Sequence, residues 1–160
     1  MKKINKAGTA LLIILTLTGC GTRTEARERD EYVFYTQGVG IEVGEDADEV
    51  ISRIGEPNRI ASAPSCAGVG CDEVYIYNGF KISTYRYDGD AEIVSIELTN
   101  DTVATKEGIK VGSPESELCR IYGEGIEFYG GIEYLSDDSR LQFFLSDGRV
   151  RAIKYLKAEP

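Results

Sequence analysis

The sequence offers few reactive side chains: four cysteines, ten tyrosines, and neither histidine nor tryptophan. Without histidine the commonest general base and metal ligand is missing. Neither a Ser-His-Asp nor a Cys-His constellation can be assembled from this chain. Thiol, carboxylate and phenol chemistry remain. Cys66 and Cys71 fall in Pro64-Ser65-Cys66-Ala67-Gly68-Val69-Gly70-Cys71, where the intervening glycines let the segment fold back on itself. Outside the cytoplasm that spacing suits a loop-closing disulfide; in a reducing habitat it leaves two free thiols. Two thiolates are too few to hold a metal, and four intervening residues do not make a redox motif. The acidic residues Asp88, Asp90, Glu92, Asp137 and Asp138 read as turn residues, since a calcium loop needs six or more oxygens. No carboxylate pair stands out for glycosidic hydrolysis. No catalytic residue, cofactor or metal is therefore expected, and the chain is read as a non-enzyme.

The tyrosines point to binding. Alternation across Val74 to Leu98 groups Val74, Ile76, Phe80, Ile82, Val94, Ile96 and Leu98 on one sheet face, against a helix. It groups Tyr75, Tyr77, Tyr85 and Tyr87 on the other, with Tyr134 and Phe144 at comparable places further on. Tyrosine is enriched at protein interfaces because it joins a rigid apolar ring to a hydroxyl. Two plainer readings stand beside this: half-exposed strand residues with cross-strand ring pairing, or a face covered by the rest of the chain.

Residues 1–19 have the make-up of a secretory signal. Lys2, Lys3 and Lys6 give a basic start, and an uncharged run over Ala7–Thr18 follows, too short to span a bilayer. The run ends Leu17-Thr18-Gly19-Cys20, which resembles the lipobox of bacterial lipoproteins. The resemblance implies cleavage before Cys20, lipid on its thiol, and a membrane anchor on the extracytoplasmic face of the cell. Two or three acyl chains hold stably where one does not. Residues 20–31 are then the lipidated cysteine and a polar tether, reaching roughly 35–40 Å when extended. Without the three signal lysines the basic count falls from 18 to 15 against 27 acidic residues, a net charge of −12. Such a surface repels nucleic acid and anionic headgroups and leaves proteins as the expected partners.

The remainder carries an internal similarity. Ile41-Glu42-Val43-Gly44 matches Ile109-Lys110-Val111-Gly112 at a spacing of 68, and Ile54-Gly55-Glu56 falls on Tyr122-Gly123-Glu124. Residues 32–100 and 101–160 are read as repeats 1 and 2 of one compact domain. In the first, Ala47, Val50, Ile51 and Ile54 make one face of a helix capped by Asp46 and closed by Gly55. In the second, Ser113 is the expected cap, Pro114 the first helical residue, and Cys119 a small buried hydrophobe on the apolar face. Turns at Asn78-Gly79, Asp88-Gly89 and Asp147-Gly148 separate strands. The expected fold is α+β: two pseudo-repeats sharing one core, each a short helix followed by an antiparallel three-stranded β-meander, with a sheet continuous between them as one option. The pattern resembles the β-lactamase-inhibitor-protein-like repeat and the small SmpA/OmlA-type outer-membrane lipoproteins. Those families bind proteins, which implies a non-catalytic binding or scaffold module here. A small-ligand-binding or sensing lipoprotein is the alternative.

Overall fold

The first helix, α1 (Ala47–Ile54), starts where Asp46 accepts a hydrogen bond from the Glu49 amide (2.9 Å) and stops where the Gly55 amide returns to Ile51 O (2.9 Å). A computed structural model of the chain describes residues 32–64 and 70–158. The segment carrying Cys20, and Cys66 with its neighbours, lie outside the described residues. Upstream of α1, β1 (Phe34–Thr36) and β2 (Val39–Ile41) form a small hairpin. Four strands follow α1: β3 (Arg59–Pro64), β4 (Cys71–Ile76), β5 (Phe80–Tyr87) and β6 (Asp90–Leu98). Then come α2 (Glu115–Tyr122) and β7 (Ile126–Phe128), β8 (Gly131–Leu135), β9 (Ser139–Ser146) and β10 (Arg149–Lys157).

The eight strands after the hairpin form one antiparallel sheet in the order β3-β4-β5-β6-β10-β9-β8-β7. This corrects the expected fold class. The described residues are predominantly β, with two eight-residue helices, and do not form a pair of α+β units each with a three-stranded meander. The sequence does not announce β3 and β7, because neither shows alternation: β3 is exposed along its whole length and β7 is three residues long. The two strand runs meet where Leu98 pairs with Ile153 and Ile96 with Tyr155.

One face of this sheet is covered. Tyr75, Ile82, Ile96, Tyr155, Leu141 and Tyr134 follow one another in register across six strands, each at most 5% exposed. Phe80, Leu98, Ile153, Phe143 and Ile132 form the next row. Phe34, Ile41, Val50, Ile54, Ile109 and Leu118 complete a single hydrophobic core. The helices are fastened alike. The Gly44 amide donates to Ile93 O (2.7 Å) and the Gly112 amide to Val150 O (2.8 Å). At the other end of each helix, the Tyr77 hydroxyl donates to Gly55 O and the Tyr134 hydroxyl to Gly123 O, both at 2.9 Å.

Two local expectations on α2 also change. Its N-cap position is Pro114, with no side-chain cap; Ser113 instead accepts from the Lys110 amide (3.2 Å) and closes the preceding turn. Cys119 is exposed, because α2 presses only Leu118 fully into the core. Gly79, in the β4–β5 turn, takes φ +94°, and a Cβ there would meet Thr102 Oγ1 at 2.3 Å. Leu98→Ala and Ile153→Ala should each cost about 2–5 kcal/mol. Because the core is continuous, urea unfolding should remain one transition; two separate transitions would show that the halves fold independently.

Candidate binding surface

The structure separates the four tyrosines of the predicted binding face. Tyr75 is 5% exposed on the covered side. Tyr77 is half-buried beside it, stacked on Phe80 with ring centroids 4.7 Å apart. Tyr85 pairs with Asp72 and Glu92 on the opposite side, and Tyr87 is 56% exposed at the end of the same strand. The turn explains this. Tyr77 N donates to Phe80 O (3.0 Å) across Asn78-Gly79, so these residues are directly opposed and share a face. Tyr75 therefore lies with Ile82, while Val74 and Ile76, expected against the helix, belong to the other side. The hairpin signal held this information: a two-residue loop fixes register, and register fixes which tyrosines point inward. Tyr134, expected outside, is likewise buried, whereas Phe144 does lie outside.

The buried tyrosines serve packing and a polar cluster. Tyr75 Oη donates to Glu73 Oε2 (2.8 Å) and accepts from Arg86 Nη2 (3.4 Å). Arg86 also grips Asp48 of α1 with both terminal nitrogens (3.0 and 2.8 Å) and Glu73 through Nε (3.1 Å). The guanidinium thus ties helix to sheet. Its hydrogen bond to Asp48 holds that carboxyl below the usual carboxylate range. Burial pushes the Tyr77 phenol up to about 12. Burial likewise raises Tyr122, whose hydroxyl contacts Glu107 and Thr105. These shifts arise from packing and from helix attachment, and the groups involved are engaged within the fold.

Among the described residues no helix covers the other face of the sheet. One row runs in register across all eight strands: Arg59, Ile76, Lys81, Glu97, Lys154, Gln142, Glu133 and Ile126. Glu97 sits between Lys81 (3.6 Å) and Lys154 (3.8 Å), and Gln142 donates to Glu133 (2.6 Å). The next row is Ala61, Val74, Ser83, Ser95, Leu156, Arg140 and Leu135. Near β3 and β4 this face offers Val74, Ile76, Tyr85 and Tyr87. Near β7 it offers a different corner. Phe128 and Phe144 meet edge to face at 5.3 Å over Gly131, where a Cβ would strike Phe143 O at 2.1 Å and the Phe128 ring at 3.0 Å. Sequence reasoning missed Phe128, because β7 itself went unread.

Cys71 opens β4, half-buried and without a disulfide among the described residues. The predicted pairing with Cys66 and lipidation at Cys20 fall on residues outside the described set. Among the described residues, no group of His, Cys, Asp and Glu could hold a metal ion, and no helix is long and apolar enough to cross a membrane.

Asp48 titrates with a clear sign. Its folded pKa is depressed, so the stability from the Arg86–Asp48 pair is present above about pH 5 and is lost as pH falls through the carboxylate range. Asp48 is largely exposed, which keeps the effect below about 1 kcal/mol. The stability gap between wild type and Asp48→Asn should be flat above about pH 5 and close on acidification. A gap unchanged at about pH 2 would show that the pair is not coupled to folding.

No protein-family model matches the chain, and no curated protein does. Solved structures give partial overlap. An extracellular SCP-domain protein of Bacillus anthracis is similar at 16% identity and TM-score 0.41, over 71% of this chain and 43% of that one. A cysteine-rich secretory protein of Staphylococcus aureus is similar at 18% identity and TM-score 0.41, over 79% of this chain and 48% of that one. The chain thus spans less than half the length of either. At this level of similarity nothing those proteins do transfers to this one. The resemblance to β-lactamase-inhibitor-protein-like repeats receives no support from these comparisons.

Proposed function

We propose that the chain is a lipid-anchored, extracytoplasmic, non-catalytic module that binds a protein partner through the uncovered face of its sheet. The observation that carries the reading is the one-sided sheet: eight strands, one face sealed by helices and loops, the other facing solvent with apolar and aromatic side chains among its charges. The lipobox-like Leu17-Thr18-Gly19-Cys20 supports the address. The sequence contains no histidine and so lacks the commonest general base, which fits a non-catalytic role. Of the tyrosines expected to bind, Tyr85 and Tyr87 are retained, with Val74 and Ile76 between β3 and β5. Tyr75 and Tyr77 become supports of the fold.

The face is mixed rather than oily. At its centre Lys81 and Lys154 share the single carboxylate of Glu97, which leaves the ladder net positive, while half-buried aliphatic groups flank it. Partner-facing surfaces of separable complexes have this composition: apolar area close to that of ordinary surface, with aromatic anchors inside a polar rim. The acidic total charge steers toward basic or neutral proteins.

Photocrosslinking tests this directly. A benzoylphenylalanine at position 85 or 87, in the membrane-bound protein of intact cells, should give one discrete adduct. The same group at Ser52, exposed on α1, should not. Tyr85→Ala with Tyr87→Ala should weaken the binding of that partner by about 2 kcal/mol or more, the cost of losing interface anchors. It should leave folding intact, whereas Tyr75→Ala should destabilise the domain. Adducts at Ser52 but not at 85 or 87 would move the binding surface to the helical side.

A further inference from the structure

The corner of the open face at β7 and β8 differs from the rest of it. Ile126 (54% exposed), Leu135 (48%) and Tyr129 (101%) are its large uncovered apolar side chains, and Phe128 and Phe144 lie between them. Two cations stand over Phe144: Lys154 Nζ at 5.8 Å from the ring centroid and Arg151 Cζ at 6.0 Å. A bulge between Val150 and Ala152 places Arg151 outside the strand register, the kind of irregularity that re-aims a side chain. No carboxylate among the described residues pairs with Arg151. At the corner the cations are Arg151 and Lys154, the latter 3.8 Å from Glu97, with Arg140 held by Glu133 (3.9 Å) beside Leu135; the acidic Asp72 and Glu92 of the same face lie with Tyr85 in the other half, on a chain of net charge −9.

The N-terminal chain enters at this half of the sheet, on its covered side. The Tyr32 amide donates to the buried Ser139 Oγ (3.0 Å) at the start of β9, beside the end of β8 that bears Leu135. Tyr129 lies past the other end of β8, about 15 Å away at the usual rise per strand residue. Eleven residues separate Cys20 from Tyr32, and extended they reach roughly 35–40 Å. An anchor at Cys20 therefore keeps this corner within reach of the bilayer.

We propose that the Ile126–Phe128–Tyr129–Phe144 corner, with Arg151 and Lys154, docks on the anionic phospholipid surface in which the chain is anchored. The inference rests on the anchored reading above. Aromatic rings settle at the headgroup level of a bilayer, and adjacent cations engage anionic headgroups. A single corner of this kind binds weakly alone, but a tether raises its effective concentration at the surface. The acidic remainder is repelled by the same headgroups, so the docked domain takes one orientation. That orientation sends Tyr85 and Tyr87, on the far half of the sheet, away from the contact.

The sequence makes the test clean, since it holds no tryptophan and no histidine. The mature chain from residue 21, with a histidine tag in place of Cys20, is held on nickel-chelating vesicles; the tag stands in for the lipid whether or not Cys20 is acylated. A single indole is introduced by Tyr129→Trp or, as the control, by Tyr87→Trp. With brominated phospholipid and about 30% anionic lipid, the fluorescence of the Tyr129→Trp protein should be quenched at least about twofold more than that of the Tyr87→Trp protein. Arg151→Glu with Lys154→Glu, or zwitterionic vesicles, should abolish the difference. Equal quenching at the two positions, or a difference indifferent to lipid charge, overturns the docking. The anchor itself is read separately, from the mass of the Cys20 peptide of the protein taken from membranes. An unacylated Cys20 would sink the anchored reading, while the vesicle result would still decide the corner's affinity for lipid.

Discussion

The pairing of β6 with β10 is the interaction on which the rest depends. These are the two longest strands, and they join where each half would otherwise expose an edge. Four strands and one eight-residue helix bury little; isolated short helices are marginal in water and small sheets need a packed face. Across the seam, Ile96 beside Tyr155 and Leu98 beside Ile153 turn two thin layers into one core. Each such side chain gains about 1.5–3 kcal/mol on burial, set against about 1–2 kcal/mol for each residue whose backbone is ordered. The seam also removes two edges that would invite pairing with another chain, leaving β3 and β7 as the outer strands.

Among the described residues two short helices and a hairpin cover one face of the eight strands and leave the other uncovered. The uncovered side is managed by charge. Glu97 is shared by Lys81 and Lys154, and Gln142 meets Glu133, so the middle of the sheet is polar and ordered without being a core. Exposed pairs of this kind contribute little stability, in the range of about 0–1 kcal/mol each; their effect is to keep the face soluble and its strands in register. The aromatic groups of this face lie toward its two ends. Val74, Ile76, Tyr85 and Tyr87 occupy one and the Phe128–Phe144 pair the other, which gives a single face two surfaces of different character.

The helices are held from both ends by hydrogen bonds to the sheet rather than by their own length. Amides of Gly44 and Gly112 fix the incoming turns, and tyrosine hydroxyls of residues 77 and 134 fix the outgoing carbonyls. Arg86 adds a cross-brace from β5 to Asp48 on α1. With Tyr75 donating to Glu73, the hydroxyls of Tyr75, Tyr77 and Tyr134 are all spent inside the fold. The number of tyrosines in the sequence therefore overstates the size of any binding surface.

Local chemistry was legible in the sequence because it is decided within a few residues. Asp46 and Gly55 delimit α1, and Asn78-Gly79, Asp88-Gly89 and Asp147-Gly148 mark turns whose geometry needs little context. That Phe80 and Ile82 share one face, and Ile96 and Leu98 one face, follows from alternation within each strand. The tertiary structure decided what alternation leaves open. A period of two sorts residues into two sets without saying which set faces in, and aromatic residues suit either side; only pairing with neighbouring strands buried Tyr75 and set Tyr85 on the opposite face. β3 and β7 carry no period, since an edge strand exposed on both sides selects for none, and they exist as strands because β4 and β8 offer free hydrogen-bonding edges. The union of eight strands in one sheet is likewise invisible locally, because Leu98 and Ile153 are 55 positions apart and meet only when both halves have formed.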